Sequence, residues 1–264
     1  MNIVILANRD LASNYALNLL LPQLSKHSVS LFLSAKVGGN SSKPPELVSL
    51  KFFEQTLFNE LLSPLFEQLP SHKGFMSFAQ MNRILVQPVE ALNVINSPHG
   101  LAKISALQPE LILSIRYGSI LKQEILSLPR LGVLNLHSGL LPDYRGVMAT
   151  FWAMLHGQNK IGTTLHFIDD ASIDTGQIVA QSHLEVEPDK SYLWHVLQLY
   201  VEGIALLSEA VSTLALGKSL SLTKQIGGQY FSFPDSQDLT KFKDQGLSLV
   251  NEDELTTFIH QHYC

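Results

Sequence analysis

The chain has 264 residues, 45% of them hydrophobic, enough for one large domain with an appendage or for two small ones. A formal charge of −5 with scattered Lys and Arg leaves no basic field for a phosphate backbone, so nucleic acid is a disfavoured partner. The start lacks a secretion signal, no apolar run reaches the roughly 18 residues of a membrane span, and a lone cysteine, Cys264, excludes an internal disulfide or thiolate zinc site, so a cytoplasmic protein without a membrane partner is expected.

In chain order, NIVILA (2–7) reads as a strand, NRDLASN as a polar loop, and YALNLLLPQL (15–24) as a helix by its apolar spacing. VSLFLSA (29–35) is a second strand and GGNSSKPP (38–45) has loop composition. Helical spacing predicts an amphipathic helix over 52–69, with a second over 74–85. A helix over about 99–107 precedes two buried strands, ELILSIR (110–116) and GVLNLH (132–137). Two more strands are predicted at 162–168 and 177–186, then a long helix over 191–216 that Gly217 stops. The remainder mixes short β-like pieces with turns and closes on a helix, EDELTTFIHQHY (252–263). Strands alternating with helices predict an α/β fold, a doubly wound and mostly parallel sheet that binds ligands beyond the carboxyl ends of its strands.

Asn135 and His137 stand at one of those ends. Alternation along a strand points both to one face, where an imidazole can exchange a proton and an amide can donate to a developing oxyanion. They would equally serve as satisfied polar residues anchoring a loop. Asp174, followed by Thr175 and Gly176, falls in a loop between two predicted strands, where an ordinary turn uses the same residue types.

Taken together, NLHSGLLP (135–142), the HG turn at 156–157 before GTTLH (162–166), and DTG (174–176) resemble the 10-formyltetrahydrofolate-dependent formyltransferase family. That family includes methionyl-tRNA formyltransferase, glycinamide ribonucleotide transformylase and the sugar N-formyltransferases. The resemblance is close over about 109–211 and loose over the first strand. It implies a Rossmann-like catalytic domain over 1–216, with a helical insertion at about 40–86, and a small β/α extension over 217–264.

The resemblance further implies that Asn135, His137 and Asp174 are the catalytic trio. An acceptor amine would attack the formyl carbon, and the resulting oxyanion would collapse with tetrahydrofolate as leaving group. Asn135 and a protonated His137 would stabilise the oxyanion, while Asp174 would keep His137 charged and help move protons through water. No metal is required. The loop RYGSIL (116–121) corresponds to the one that wraps the pterin, with Ser119, Ile120 and Leu121 as contacts; Ile168, Asp169, Asp170 and Ala171 would line the opposite wall by their backbone. Tyr144 and Arg145 lie where acceptor contacts are expected, a solvated Arg145 being the alternative. His156 and His166 read as structural.

The loop after the first strand lacks a glycine-rich phosphate cradle, which argues against a purine-pathway role. The segment after the long helix, about 48 residues, holds four lysines against six acids, whereas the resemblance implies a longer β-barrel domain there in the tRNA-formylating enzyme, so initiator tRNA is the runner-up. The stretch 38–86 exceeds the family's usual length and could pack on the sheet, cover an acceptor pocket or face a partner. Separately, a homodimer is among the expected partners. GGQYFSFP (227–234) reads as a small β unit packed on the core, with acceptor binding as the alternative. The expected activity is formyl transfer to the amine of a small acceptor: a nucleotide-linked amino sugar, or equally an amino acid or peptide-like amine. The alternatives are methionyl-tRNA formylation, and folate binding or 10-formyltetrahydrofolate hydrolysis with no amine acceptor.

Overall fold

The fold is a computed structural model that describes residues 1–35, 43–68 and 74–264. Most of the expected loop at 38–45 lies outside the described residues. Strands β1 (Asn2–Asn8), β2 (Ser28–Ser34), β3 (Glu90–Ala91), β4 (Leu111–Ile115) and β5 (Val133–His137) pair in parallel. A two-residue strand β6 (Arg145–Gly146) leaves the sheet, after which β7 (Lys160–Phe167) and β8 (Ile178–Glu185) form an antiparallel hairpin on β5. The sheet order is β3-β2-β1-β4-β5-β7-β8, the mostly parallel, doubly wound arrangement expected; β6 pairs with β9 (Tyr230–Phe231) in a separate ribbon.

Helix α1 (Leu11–Leu20) begins inside the segment read as a polar loop. The reason is Asp10, whose carboxylate caps the helix by accepting from the Ser13 amide at 2.7 Å. Helix α2 (Pro45–Lys51), a π-helical stretch Phe52–Leu62 and α3 (Ser63–Glu67) follow one another without a break. This rod starts before the expected 52, because Pro45 in the first turn suits a helix start. The expected helix over 74–85 is reduced to a 3-10 turn, Gln80–Arg83. Its backbone is committed elsewhere: the Phe75 amide donates to the His262 carbonyl at 2.7 Å and the Met76 amide to Asn18 Oδ1 at 2.7 Å. Tertiary hydrogen bonds have overridden an apolar period.

Beyond these come α4 (Pro98–Ala106), α5 (Gln123–Leu126), α6 (Ala149–Leu155), α7 (Tyr192–Ala215), α8 (Ser236–Asp244) and α9 (Glu252–Tyr263). Ser191 caps α7 through the Trp194 amide at 3.2 Å, and Gly217 ends it at φ +72°. Helices α5, α6 and α8 had no counterpart in the sequence reading. The last is set by a capping box between Asp235 and Asp238 within a stretch read as β-like pieces.

Alternation divides the core in two. Leu134 and Leu136 join the layer beneath α1 and α7, whereas Val133 joins Val4, Leu6, Ile112, Ile104 and Ile125 beneath α4 and α5. Each such side chain, fully buried, contributes about 1.5–3 kcal/mol. Asn135 and His137 share the parity of Val133, so they point to the α4/α5 side of the sheet.

Candidate active site

Strand β7 runs antiparallel to β5 and sets His166 opposite Asn135 and Thr164 opposite His137. The Thr164 hydroxyl donates to the Gly139 carbonyl at 2.7 Å and accepts from the Leu141 amide at 3.0 Å, which fastens the loop after β5 to the hairpin. A side chain at 139 would come within 2.8 Å of His137 Nε2 and 2.5 Å of the Ala149 methyl, so only glycine leaves the imidazole its place. The β7–β8 connection carries Asp174 in the left-handed region at φ +54°. Two residues on, Gly176 lies so close to the Phe167 carbonyl that a Cβ would sit 1.8 Å from its oxygen. The Asp-x-Gly spacing thus reflects a backbone pressed onto β7.

The three expected side chains converge. His137 Nε2 lies 2.7 Å from the Tyr144 carbonyl and Nδ1 lies 3.5 Å from Asp174 Oδ2. A carbonyl only accepts, so Nε2 carries a hydrogen, and Nδ1 faces the carboxylate. Asp174 Oδ2 also accepts from the Gly146 amide at 2.8 Å. Burial pushes the Asp174 carboxyl up, but His137, His166 and the Gly146 amide outweigh it and hold it down at about 2. It is therefore an anion at neutral pH.

His166, read from sequence as structural, belongs to this group. Its Nδ1 donates to the Phe167 carbonyl at 2.8 Å; Nε2 lies 3.0 Å from Asn135 Nδ2 and 3.5 Å from Asp174 Oδ1. A neutral His166 ring accepts from Asn135 and leaves that amide a second hydrogen for an incoming oxygen; a protonated ring donates to Asp174 instead. A polar residue whose partner stands on the neighbouring strand, 31 positions away, gives no local signal beyond its burial cost.

The expected cofactor residues divide. Leu121, only 2% exposed, packs with Ile168 and Val133 in the α4/α5 layer, so its side chain is core. Ile120, 54% exposed, stands at the rim, and Ser119 Oγ donates to the Asn93 carbonyl at 3.3 Å. Asp169 and Asp170 turn their carboxylates to the Gln177 amide at 3.2 Å and the Ser172 amide at 2.7 Å, leaving the backbone through Ala171 as the surface on offer. Two loops at the carboxyl ends of β4 and β7 therefore share one apolar floor with an exposed Ile on its edge, a chemistry that fits a flat heteroaromatic ring. Tyr144 stacks on Phe231 at 5.6 Å between centroids and tilts against His156 at 5.9 Å. Arg145 is no solvated arginine: its guanidinium donates to the Gly227 carbonyl and its amide to that of Gln229 at 2.9 Å. Among the described residues no group of three or more His, Cys, Asp or Glu could hold a metal, and no helix is long and apolar enough to cross a membrane.

A second buried ionic cluster occupies the opposite face. Arg116, at φ +57° just after β4, turns its side chain toward α1 and α7. Its Nε donates to Asp10 Oδ2 at 2.9 Å and its Nη2 to Glu54 Oε1 at 3.0 Å. Asn8 Nδ2 also donates to Asp10, at 2.8 Å. Burial pushes the Glu54 carboxyl up to about 7; Arg116 opposes this and the Asp10 charge adds to it. The amino-terminal end of α1, which attracts anions in such sheets, is filled by the protein's own carboxylate.

Residues 72–194 match the formyl transferase family. A methionyl-tRNA formyltransferase from Synechococcus sp. (strain JA-3-3Ab) is 36% identical over 121 residues, which make up 46% of this chain and 37% of that protein. Another, from Caldanaerobacter subterraneus subsp. tengcongensis, is 33% identical over 147 residues, 54% of this chain and 47% of the relative. The chain thus spans less than half the length of these relatives. Among solved structures, an N-formyltransferase from Helicobacter canadensis in complex with folinic acid and dTDP-3-aminofucose superposes with a TM-score of 0.57 over 90% of this chain and 72% of its own, at 18% identity. A glycinamide ribonucleotide transformylase from Symbiobacterium toebii gives 0.57 over 85% and 93%, at 15% identity. At such identities the likeness is one of fold.

Proposed function

We propose that this chain, whose residues 72–194 match the formyl transferase family, moves a formyl group from 10-formyltetrahydrofolate to the amine of a small acceptor, in the cytoplasm and without a metal. The observation that carries the reading is the meeting of Asn135, His137 and Asp174, residues up to 39 apart in sequence order, around one point at the rim of the sheet, with the His137–Asp174 contact at 3.5 Å. Bound against the apolar floor that 117–121 shares with Ile168, 10-formyltetrahydrofolate would supply an activated formyl carbon and a nitrogen leaving group. Asn135 then donates to the oxygen on which charge develops, and His137 joins it once Nε2 exchanges the Tyr144 carbonyl for that oxygen. Asp174, an anion, orients the imidazole and relays the proton lost by the acceptor amine through water to the departing folate nitrogen, so that the new C–N bond forms as the old one breaks.

For the acceptor the reading favours a nucleotide-linked amino sugar. Tyr144, Phe231, Trp152 and His156 make an aromatic ledge beside the loop after β5, with Trp152 and Phe231 stacked at 5.0 Å, and such a ledge suits a nucleobase. Screening amine acceptors by mass for the gain of one carbonyl tests this. If no amine gains mass while 10-formyltetrahydrofolate alone is consumed, the protein is a hydrolase. A second reading, methionyl-tRNA formylation, is favoured by the 33–36% identity to enzymes of that name. Tight, salt-sensitive binding of initiator Met-tRNA would select it over the sugar.

A further inference from the structure

The segment after α7 crosses the rim of the sheet as a strap. At one end Thr223 and Ile178 exchange both backbone hydrogen bonds, at 2.8 and 2.9 Å. At the other, the Arg145 amide donates to the Gln229 carbonyl and the Val147 amide to that of Phe231, both at 2.9 Å. Between these anchors lies Gln225. Its Nε2 donates to the Asp174 carbonyl at 3.0 Å and to the Gly176 carbonyl at 2.6 Å, spanning the turn that presents the Asp174 carboxylate. The amide cannot be turned round, since its oxygen would then face two carbonyl oxygens. Its Oε1 is buried without a partner, so the orientation is kept at the expense of an unsatisfied acceptor.

We propose that Gln225 is a positioning residue for Asp174, and that the strap thereby completes the active site from outside the segment that matches the family. Asp174 sits in a backbone region that few side chains favour, and two hydrogen bonds from one amide hold that conformation from behind. The same strap holds β6, whose Gly146 amide donates to Asp174 Oδ2 at 2.8 Å from the other side. The carboxylate is thus fixed front and back by parts of one ribbon. The inference rests on the formyl-transfer reading only for its kinetic consequence.

The test uses the full chain with Gln225→Met, which keeps the size and removes both donors, and Gln225→Asn, too short to span the turn. The amide resonance of Gly146 reports the place of Asp174 Oδ2 without any assay. It should move in Gln225→Met toward its position in Asp174→Asn, and less far in Gln225→Asn. Formyl transfer should lose about tenfold to 10²-fold in kcat with an unchanged KM for 10-formyltetrahydrofolate. A Gly146 resonance that responds to Asp174→Asn but stays at its wild-type position in a folded Gln225 variant overturns the proposal. If the resonance moves as expected while Asp174→Asn still transfers formyl at the wild-type rate, the positioning role stands and the formyl-transfer reading falls.

Discussion

Two buried ionic clusters stand back to back at the carboxyl-terminal rim of one sheet, and they distribute their protons in opposite ways. Around Asp174 one carboxylate is shared by two imidazoles and a backbone amide, so its carboxyl is held down at about 2. Around Arg116 one guanidinium is shared by two carboxylates, so the surplus is negative and Glu54 is pushed up to about 7. Arginine does not release its proton, so the second cluster has no group that cycles between donor and acceptor except an acid facing the wrong side of the sheet. Burial alone does not tell the two clusters apart; the ratio of bases to acids and the side of the sheet do.

The contrast can be broken first by activity. His137→Ala and Asp174→Asn should each lower formyl transfer by about 10²–10⁴-fold, and Asn135→Ala by about 10²–10³-fold, with folding preserved. Wild-type turnover in these variants would place the chemistry elsewhere. Arg116→Met should do the reverse, leaving Asp10 uncompensated and costing about 3–5 kcal/mol in a urea midpoint. Equal stability would mean that the second cluster is solvated rather than structural.

Stability against pH sharpens the comparison further. Glu54 binds its proton more tightly folded than unfolded, so its contribution is fully present below about 4.5 and is lost as pH rises through about 7. The decline amounts to at most about 3 kcal/mol, and Glu54→Gln should flatten it. Asp174 works with the opposite sign. Its contribution is present above about 3.8 and is lost as pH falls through about 2, a change of about 2 kcal/mol that Asp174→Asn should abolish. Parallel curves for wild type and variant in either window would remove that cluster's asymmetry.

Much of this was legible in the residues themselves. The alternation of Asn135 and His137, and the turn chemistry of Asp174 and Gly176, are local patterns that survive folding unchanged. The parallel sheet followed from strands spaced by helices. Helix α6 escaped notice because it is short and starts from Met148 at φ +55°, with no side chain capping it. The stretch 74–85 has a helical period, yet its amides are taken by α1 and α9, partners that no window of neighbouring residues contains. His166 and Gln225 were hidden for a similar reason: each is defined by what stands across the sheet or strap, at separations of 31 and 49–51 positions.

The contact between Tyr263 and Asn14, a hydroxyl donating at 2.7 Å to an amide oxygen 249 positions earlier, bears on how the molecule assembles. The same ring packs on Phe58 and Phe66 at 5.2 and 5.7 Å, so the first helix and the helical rod remain without their common neighbour until α9 has been made. Closing a loop of that length is entropically slow, and apolar surface stays open in the meantime. Nascent chains arrested before α9 should accordingly be cut by protease within α1 and the rod, and chains that include α9 should not.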